Sequence, residues 1–570
     1  MLTTPWCEAL DADAVLQEYP RPQMVRKSYI NLNGYWDYAI TEGRMEPRGW
    51  DGRILVPFSP EAPLSGVGRT LQPWQTLWYR RSIELEPRAG QRLLLHFGAV
   101  DQSAEIYVNG ALAGQHVGGY TAFSVDITPF ITSGRNELRV AVTDGTDTNE
   151  LSRGKQKTKR GGIWYTPQSG IWQTVWMEWV PEAHIAALRI TPDVENSCAR
   201  ITVCSATDGE CSIEFNGAVY KGFTNREICV PVESPELWTP ETPKLYDFSA
   251  VFGEDRVESY FALRCVGTGK DGRGKPCLLL NGKPIYHSGV LDQGYWPDGL
   301  YTAPSDEAFI YDIELMKSMG FNTLRKHIKI EPMRWYYHCD RMGMLVWQDM
   351  PSGGGDYSPI AITLPLVTRR AHSDHDYKYF ARTDAYAREV FRRELDEMVT
   401  QLYNCPSIVM WVPFNEGWGQ FDASDAAAQI KALDTTRTID HASGWHDQGI
   451  GDVQSLHVYF YPYRYSADKL GRAVVLSEFG GYQLPCEGHT FNSANFGYRA
   501  YKTPEALEKA FCALFRREIM PAREKGLAAS IYTQLSDVED EVNGIVSYDR
   551  RVVKLSAAAV RGINEALIKA

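Results

Sequence analysis

Two glutamates follow short apolar segments in the second half of the chain. Glu416 closes the stretch 408–416, in which seven apolar residues run without interruption before Asn415. Glu478 closes a second stretch of the same design, 473–478. A pair of carboxyl groups can cleave a glycosidic bond, because one donates a proton to the leaving oxygen and the other, ionised, attacks the anomeric carbon. The pair therefore indicates glycoside hydrolysis.

The elements that carry these glutamates read as strands of a parallel sheet. A short apolar run without polar alternation is typical of a strand buried on both faces. Carboxylates placed directly after such strands lie at the carboxyl edge of the sheet, where α/β barrels have their active sites. Eight candidate strands alternate with helical patterns from about residue 276 onward, which predicts a TIM (β/α)8 barrel. The candidates are 284–290, 321–324, 344–347, 408–414, 438–441, 453–458, 473–477 and 527–533.

Two segments of the predicted barrel carry further expectations. Residues 388–402 place their apolar side chains on one helical face, and Asn404-Cys405-Pro406 then ends the helix before the strand at 408. The stretch from 350 to 386 is longer than a barrel loop requires. We expect it to form either a flexible lid or an elaborated wall of the active site.

The first half of the chain is predicted to be all-β and to contain two domains. Residues 1–180 alternate short β-forming stretches with Gly, Asn and Pro, including a hairpin signal at Asn109-Gly110, which is typical of a jelly-roll sandwich. Residues 181–266 hold five strand candidates, as in an immunoglobulin-like β-sandwich. The glycine-rich segment 267–275 is expected to be a turn or linker, and residues 267–570 are assigned to the barrel domain.

Composition excludes several classes of function. The chain of 570 residues has a net charge of −12 and a pI near 5.6, which argues against nucleic acid or an anionic membrane as partner. No apolar run approaches the ~18 residues of a membrane helix. Eleven scattered cysteines and the absence of a visible secretory signal predict reduced thiols and a cytoplasmic location. The basic run 153–160 is expected to be a solvated loop.

The order of motifs resembles glycoside hydrolase family 2, which holds β-galactosidases, β-glucuronidases and β-mannosidases. Several segments carry the resemblance, and their order along the chain makes it specific. They are 31–36, 78–81, 107–110, 118–123 and 169–172 in the sandwich, with 322–325, 335–343, 406–411 and 415–416 in the barrel.

The resemblance implies roles for five residues. Glu416 would be the general acid/base and Glu478 the nucleophile of a retaining mechanism. Asn415 would bind the sugar 2-hydroxyl, although a cap on the following helix is the alternative. Arg325 would keep the nucleophile ionised rather than form a surface ion pair. Tyr459 would hydrogen-bond the nucleophile, with core packing as its alternative.

Three further residues are candidate sugar contacts. His457 would touch a sugar hydroxyl, or it is a structural histidine with its bonds satisfied. Trp418 and Trp445 follow strand ends and would form platforms for a sugar ring, or they belong to the core.

The substrate prediction rests on one departure from the family pattern. Family glucuronidases carry an Asn-x-Lys element near the carboxyl end, where the Lys binds the sugar carboxylate. Here Asn543 stands at the position of that Lys. A neutral sugar is favoured, and the predicted activity is a retaining exo-β-glycosidase that hydrolyses β-galactosides.

Two alternatives and several accessory expectations complete the prediction. The chain could instead be a β-glucuronidase or galacturonidase, with Lys326, Lys329 or Arg464 as counter-charge, or a non-catalytic carbohydrate-binding protein. Residues 347–349 do not reproduce the magnesium site of some family galactosidases, so no metal and no cofactor are expected. Family members often associate through their sandwich domains, which makes a homo-oligomer possible.

Overall fold

The computed structural model describes residues 2–368 and 370–569, without the side chains of residues 363, 364, 366 and 367. The amino-terminal sandwich packs a four-stranded and a six-stranded antiparallel sheet around a core of Trp36, Tyr79, Phe97 and aliphatic residues. Asn109 and Gly110, both at positive φ, form the predicted hairpin turn. Its strands are Tyr29–Asn31, Gly34–Glu42, Gly52–Val56, Gln75–Leu85, Gln91–Phe97, Val100–Asp101, Ser103–Val108, Ala111–Val117, Phe123–Asp126, Gly134–Thr143, Gly170–Ile171 and Val175–Pro181.

The second domain is a seven-stranded sandwich of a three-stranded and a four-stranded sheet. It has two strands that the sequence did not indicate, Ala218–Phe223 and Tyr246–Phe252. The first of these alternates exposed and half-buried residues at the sheet edge, so its pattern lacks the apolar face that marks a core strand. The remaining strands are Ala187–Asp193, Cys198–Cys204, Glu210–Phe215, Glu227–Pro231 and Asp255–Phe261.

A small three-stranded sheet precedes the barrel and closes its amino-terminal end. Its strands are Val266–Lys270, Pro276–Leu280 and Lys283–Ile285. Leu278 and Leu280 join the apolar cluster that fills the barrel interior. The prediction of a linker at 267–275 was therefore wrong in part, because residues 267–270 pair with 276–279. The glycines of that segment suggested a turn, and only 271–274 form one.

Eight parallel strands form the barrel, which confirms the predicted fold. The first and last strands in the sheet order are Thr438–Ile439 and Val453–Val458. Asp452 N, just before the second of these, donates a 2.9 Å hydrogen bond to Ile439 O, which brings the two edges of the sheet together. In chain order the strands are His287–Asp292 (β1), Thr323–Lys326 (β2), Leu345–Asp349 (β3), Ile408–Val412 (β4), Thr438–Ile439 (β5), Val453–Val458 (β6), Ala473–Gly480 (β7) and Leu527–Thr533 (β8).

Helices surround the barrel and cover its strands. The predicted helix at 388–402 is present as Ala385–Leu402, with Asp384 accepting a bond from Tyr386 N at its start. Across residues 2–368 and 370–569, no helix is both long and apolar enough to cross a membrane. The other helices are Asp306–Ser318, Met333–Met342, Pro359–Thr368, Ala423–Leu433, Pro504–Leu514 with its continuation through Phe515–Ile519 and Met520–Lys525, and Ala557–Lys569.

The basic run of the sandwich lies against the barrel and does not form a solvated loop. Arg153 is 1% and Lys155 6% exposed, and the backbone N–H groups of Arg153 and Gly154 both donate to Ser352 O. The prediction was wrong for residues 153–156, because charge in the sequence says nothing of a partner surface supplied by another domain. Only Thr158 and Lys159 of the run are exposed.

Candidate active site

The carboxyl ends of five barrel strands bring their polar side chains together. Arg325 lies in β2, Asp349 ends β3, Glu416 follows β4, His457 lies near the end of β6 and Glu478 lies in β7. All five side chains are buried, with Glu416 the most exposed at 8%. Because parallel strands end at one edge, residues far apart in sequence meet at one rim.

Glu478 is held as an ionised carboxylate. Its Oε1 accepts a bond from Arg325 Nη1 at 3.0 Å, and its Oε2 accepts one from the Tyr459 hydroxyl. Burial alone would raise the pKa of this carboxyl, but the charges of His457 and Arg325 outweigh it and lower the pKa to about 2. A carboxylate that stays ionised in this way can act as a nucleophile.

Arg325 contacts several acceptors of the site at once. Its Nε and Nη2 donate to the two oxygens of Asp349, each at 3.0 Å, in a bidentate pair. Nη2 also donates to Asn415 Oδ1 at 2.8 Å. Burial disfavours the guanidinium charge, but the charges of Asp349 and Glu478 raise the Arg325 pKa, so the group remains a cation. The predicted contact between Arg325 and Glu478 is present.

Glu416 has the opposite electrostatic environment. Burial, with the charge of Glu478, raises its pKa, while the bond from His457 Nδ1 to Oε1 at 2.7 Å opposes that rise. The residue adopts φ +50°, a left-handed conformation that costs a non-glycine residue about 1–2 kcal/mol. Such strain is found where a side chain must be aimed at a site. Glu416 is therefore the carboxyl of the pair that holds its proton more strongly.

His457 lies between the two glutamates and not at the open side of the rim. Its Nδ1 contacts Glu416, and its Nε2 lies 3.5 Å from Glu478 Oε1. One ligand atom from each of the three residues lies within 4.8 Å of the others. Both oxygens of Glu478 already accept hydrogen bonds, Oε1 from Arg325 and Oε2 from the Tyr459 hydroxyl.

Asn415 and Tyr459 support the pair from either side. Asn415 Nδ2 is buried and has no hydrogen-bond partner among the residues that the structure describes. Its Oδ1 is held by Arg325, so the amide N–H groups are the part free to bind a ligand. Tyr459 also contacts Thr533 Oγ1 at 2.8 Å and stacks on Tyr498, with ring centroids 3.8 Å apart.

The two predicted tryptophan platforms differ in their surroundings. Trp418 is 3% exposed and packs against the rings of Trp164, Tyr357 and His327. Trp445 is half-buried, and its ring lies 6.0 Å from that of His457. Trp445 thus has more free surface for a sugar than Trp418, and both roles stay predictions.

Several residues of the site were missed by the sequence interpretation. Asp349 ends a barrel strand as the glutamates do, so the rule that located those would also have located it. Tyr498 comes from a segment between strands without a regular pattern. Lys155 and Glu541 lie 3.6 Å apart at the interface of sandwich and barrel, and no sequence periodicity marks either of them.

Two of the three cations proposed as counter-charges for an acidic sugar are engaged by protein groups. Lys326 Nζ and Lys329 Nζ both donate to Glu331 Oε1 at 2.8 Å, and Lys326 also donates to Asp292. Lys329 donates in addition to two backbone carbonyls. Arg464 is exposed, and its role as a counter-charge stays a prediction.

The stretch from 350 to 386 builds one wall of the rim. Ser352 O receives the N–H groups of the basic run, and Ala361 O accepts a bond from His446 Nε2 at 2.9 Å. Helix Pro359–Thr368 lies within this stretch. Of the two expectations for the segment, these contacts fit the elaborated wall.

Sequence comparison finds relatives with two named activities. A putative beta-glucuronidase of Formosa agariphila is 28% identical over 424 residues, which is 68% of this chain and 46% of that protein. A beta-galactosidase of Bacteroides ovatus is 26% identical over 438 residues, 70% of this chain and 46% of its own length. The chain thus spans less than half the length of these relatives.

Solved structures share the fold along nearly the whole chain. A beta-D-glucuronidase of Dictyoglomus thermophilum superposes with a TM-score of 0.74 at 18% identity, covering 97% of this chain and 99% of the other. A beta-galacturonidase of Eisenbergiella tayi bound to galacturonate superposes with a TM-score of 0.72 at 20% identity, covering 96% and 99%.

Three family models match the chain in sequence. The sugar binding domain of the glycosyl hydrolases family 2 matches residues 68–178, a further domain of that family matches 205–264, and its TIM barrel domain matches 274–483. These ranges fall on the sandwich, the second β domain and the barrel that the structure describes. The chain belongs to glycoside hydrolase family 2.

Proposed function

We propose that the protein is a retaining exo-β-glycosidase that hydrolyses a terminal, non-reducing sugar. One observation carries the proposal: two carboxyl groups meet at the rim with pKa values shifted in opposite directions, Glu478 downward and Glu416 upward. Environments that separate two carboxyl pKa values in this way assign one as nucleophile and the other as acid. Oxygens of the two groups lie within 4.8 Å, which suits the short separation, about 5–5.5 Å, of retaining enzymes.

The reaction would proceed in two displacements. In the first, Glu478 attacks the anomeric carbon while Glu416 gives its proton to the departing glycosidic oxygen, which leaves a covalent glycosyl-enzyme. In the second, Glu416 takes a proton from water, and the resulting hydroxide equivalent displaces Glu478. The free Asn415 amide is placed to hold the sugar 2-hydroxyl, a bond that strengthens in the transition state.

The enclosure of the site supports cleavage at a chain end. Glu416 is 8% and Glu478 5% exposed, so both reacting groups lie below the protein surface. The segment from Ser352 and the loop at Arg153 meet on one side of the rim. Reacting groups recessed in this way are reached more readily by the last sugar of a glycan than by an internal one.

The identity of the sugar is the finer part of the proposal. The sequence predicts β-galactosides because Asn543 replaces a lysine. In the structure Asn543 donates to Glu541 and accepts from Gln534, so it contributes no charge to the pocket. β-Galactosides and β-uronides are therefore the two substrate classes to test, the second because of a lysine that enters from the sandwich domain.

The test is a panel of aryl β- and α-glycosides, ranked by kcat/KM, with the product anomer followed by NMR from the first turnover. We expect hydrolysis of a β-glycoside with release of the β-anomer. Glu478→Gln and Glu416→Gln should each remove nearly all turnover. Inversion of configuration, or full turnover in either variant, would refute the mechanism. Sugar binding in calorimetry without cleavage of any glycoside would instead identify a carbohydrate-binding protein.

A further inference from the structure

We propose that Lys155, carried by the sandwich domain, is the binding residue for an anionic substituent of the sugar, so that the pocket selects a uronic acid glycoside. The inference rests on the proposed glycosidase function and names the substrate class of the same site. It also reverses the neutral-sugar prediction, because the cation comes from a part of the chain remote from Asn543.

The backbone around Lys155 is fixed at the interface of two domains. Gly154 N donates to Ser352 O at 2.9 Å, on the barrel side, and Tyr165 N donates to Lys155 O at 3.0 Å, within the sandwich loop. A Cβ at Gly154 would meet the Tyr301 hydroxyl at 2.7 Å, so the loop approaches the barrel closely there. The ammonium group is thus positioned in advance of any ligand, which lowers the entropy cost of binding.

The Lys155 ammonium is short of hydrogen-bond acceptors. The side chain is 7% exposed, and the closest carboxylate oxygen, Glu541 Oε2, lies 3.6 Å from Nζ. Among the described residues no acceptor lies within hydrogen-bond distance of Nζ, which instead lies over the rings of Tyr165 at 5.4 Å and Trp418 at 5.8 Å. An ammonium has three donors, and burial without acceptors is costly. A ligand carboxylate would satisfy them.

Glu541 forms a long ion pair with Lys155, with 3.6 Å between Oε2 and Nζ, and its oxygens also accept hydrogen bonds from two other residues. The Tyr165 hydroxyl donates to Oε2, and Asn543 Nδ2 donates to Oε1 at 3.4 Å. Burial, together with the charge of Glu541, raises the pKa of Tyr165 well above its usual range, so the phenol keeps the proton that it donates. Glu541 therefore balances the Lys155 charge and contacts the Tyr165 side chain beside it, while no hydrogen bond to Glu541 occupies the ammonium donors.

The location of Lys155 is next to the reacting groups. Trp418, under its ammonium, follows Glu416 by two residues, and the Lys155 charge lowers the pKa of Glu416 against the effect of burial. The charge of Glu541 acts on Tyr498, whose ring stacks on Tyr459, and the Tyr459 hydroxyl donates to Glu478. The charges of Lys155 and Glu541 thus act on residues near both reacting glutamates.

The other buried cations near the rim are committed to protein groups. Arg325 holds Asp349, Asn415 and Glu478, and Lys326 and Lys329 hold Glu331. Lys155 differs from all of these in lacking a short hydrogen bond among the described residues. That difference points to a ligand as the hydrogen-bond acceptor that the long ion pair with Glu541 does not supply.

The experiment uses two matched substrate pairs that differ only at C6. These are aryl β-D-glucuronide against β-D-glucoside, and aryl β-D-galacturonide against β-D-galactoside. We expect the full chain to prefer the uronide in at least one pair, and Lys155→Met to reduce the ratio of uronide to neutral kcat/KM by about 100-fold, the loss expected when one partner of a buried charged hydrogen bond is removed.

Lys157→Met is the matched control, because Lys157 belongs to the same loop but lies over Trp164, 4.7 Å from that ring. Its uronide-to-neutral ratio should remain within about threefold of the parent value. Preference of the parent chain for the neutral member of both pairs, or an unchanged ratio in Lys155→Met, would overturn the proposal.

A binding measurement separates failure of this inference from failure of the glycosidase function. Calorimetry with free D-glucuronate and D-galacturonate should show binding that weakens in Lys155→Met and does not weaken in Lys157→Met. If no glycoside is cleaved but this pattern holds, the proposed function fails while the Lys155 site stands. If neutral glycosides are cleaved and neither uronate binds, the function stands and the Lys155 site fails.

Discussion

Two buried arginines hold carboxylates in nearly the same way but in different parts of the molecule. Arg26, between the two β domains, donates to both oxygens of Asp255 at 2.9 and 2.8 Å and reaches Glu178 at 3.2 Å. Arg325, at the barrel rim, donates to both oxygens of Asp349 and reaches Glu478 at 3.0 Å. Each is a bidentate pair with a second acid beside it.

The two networks differ in the polar groups that surround each arginine. Around Arg26 the acids have further partners: Arg21 and the Tyr19 hydroxyl contact Glu178, and Ile185 N donates to Asp255. At the rim a further acid, Glu416, contacts no arginine among the described residues, and burial raises its pKa. The first network is closed in the sense that each of its carboxylates is paired with an arginine, whereas the second also contains a carboxyl without an arginine and the free Asn415 amide. A protonatable carboxyl beside an ionised one therefore distinguishes the candidate site from the ion-pair network.

The largest expected effect is the difference in kcat between substitutions of Glu478 and Glu178, the acids that the two arginines contact. Glu478→Gln should lower kcat by at least about 10⁴-fold, since it removes a nucleophile. Glu178→Gln, a matched change in the closed network, should leave kcat within about twofold while lowering the melting temperature. Turnover of an aryl glycoside and thermal unfolding of both variants test this. Comparable loss of kcat in both would show that the two networks do not differ in function.

A second prediction concerns replacement of each arginine by Met. Arg325→Met should reduce kcat/KM by about 10²- to 10³-fold, because Glu478 loses the charge that keeps its pKa low. The acid limb of the pH profile should also move to higher pH. Arg26→Met should destabilise the fold by about 3–5 kcal/mol through the unpaired acids, with an unshifted profile. A shifted profile in Arg26→Met would contradict the assignment.

The reacting residues of the comparison could be predicted from sequence, because strand ends are local features. Glu416, Glu478 and Arg325 each follow or end an apolar run, and parallel strands deliver such residues to one rim. The barrel itself was predictable from its eight apolar segments. Asp349, which ends a barrel strand, could have been predicted by the same rule.

Contacts between domains were not predictable in the same way. The basic run at 153–160 was expected in solvent, yet Lys155 lies beside the rim, because its burial depends on a barrel surface about 200 residues further along the chain. His457 was expected either to touch sugar or to be a structural histidine. It contacts both glutamates, because neighbouring strands fix its direction, and a sugar contact stays a prediction. Side-chain partners across domains leave no periodic trace in one sequence.

A third prediction concerns stability: replacing the acid by Gln should change the melting temperature in opposite directions in the two regions. The arginines depress the folded pKa of Glu178 against its burial, so its stabilisation is present above its usual pKa, 4.5, and is lost as pH falls toward the folded value. The pKa of Glu416 is raised, so its ionisation destabilises the fold as pH rises. At pH 8, Glu178→Gln should therefore melt lower than the parent, and Glu416→Gln higher. Equal shifts in one direction would contradict this.

The smallest effect concerns the link between the two glutamates. The bond from His457 Nδ1 lowers the pKa of Glu416, and the charge of His457 lowers that of Glu478. In His457→Gln, whose amide replaces Nε2, the Glu416 bond is lost. Both limbs of the profile of kcat/KM against pH should then move to higher pH, the alkaline limb by about one pH unit.

His457→Asn provides the matched control, because its amide nitrogen replaces Nδ1 and can still donate to Glu416 Oε1. The alkaline limb should therefore stay in place in this variant, since it follows the loss of the Glu416 proton as pH rises. The acid limb should still move upward, because the imidazole charge beside Glu478 is gone. An alkaline limb that moves equally in both variants would show that His457 acts on Glu416 through charge alone and not through the Nδ1 bond.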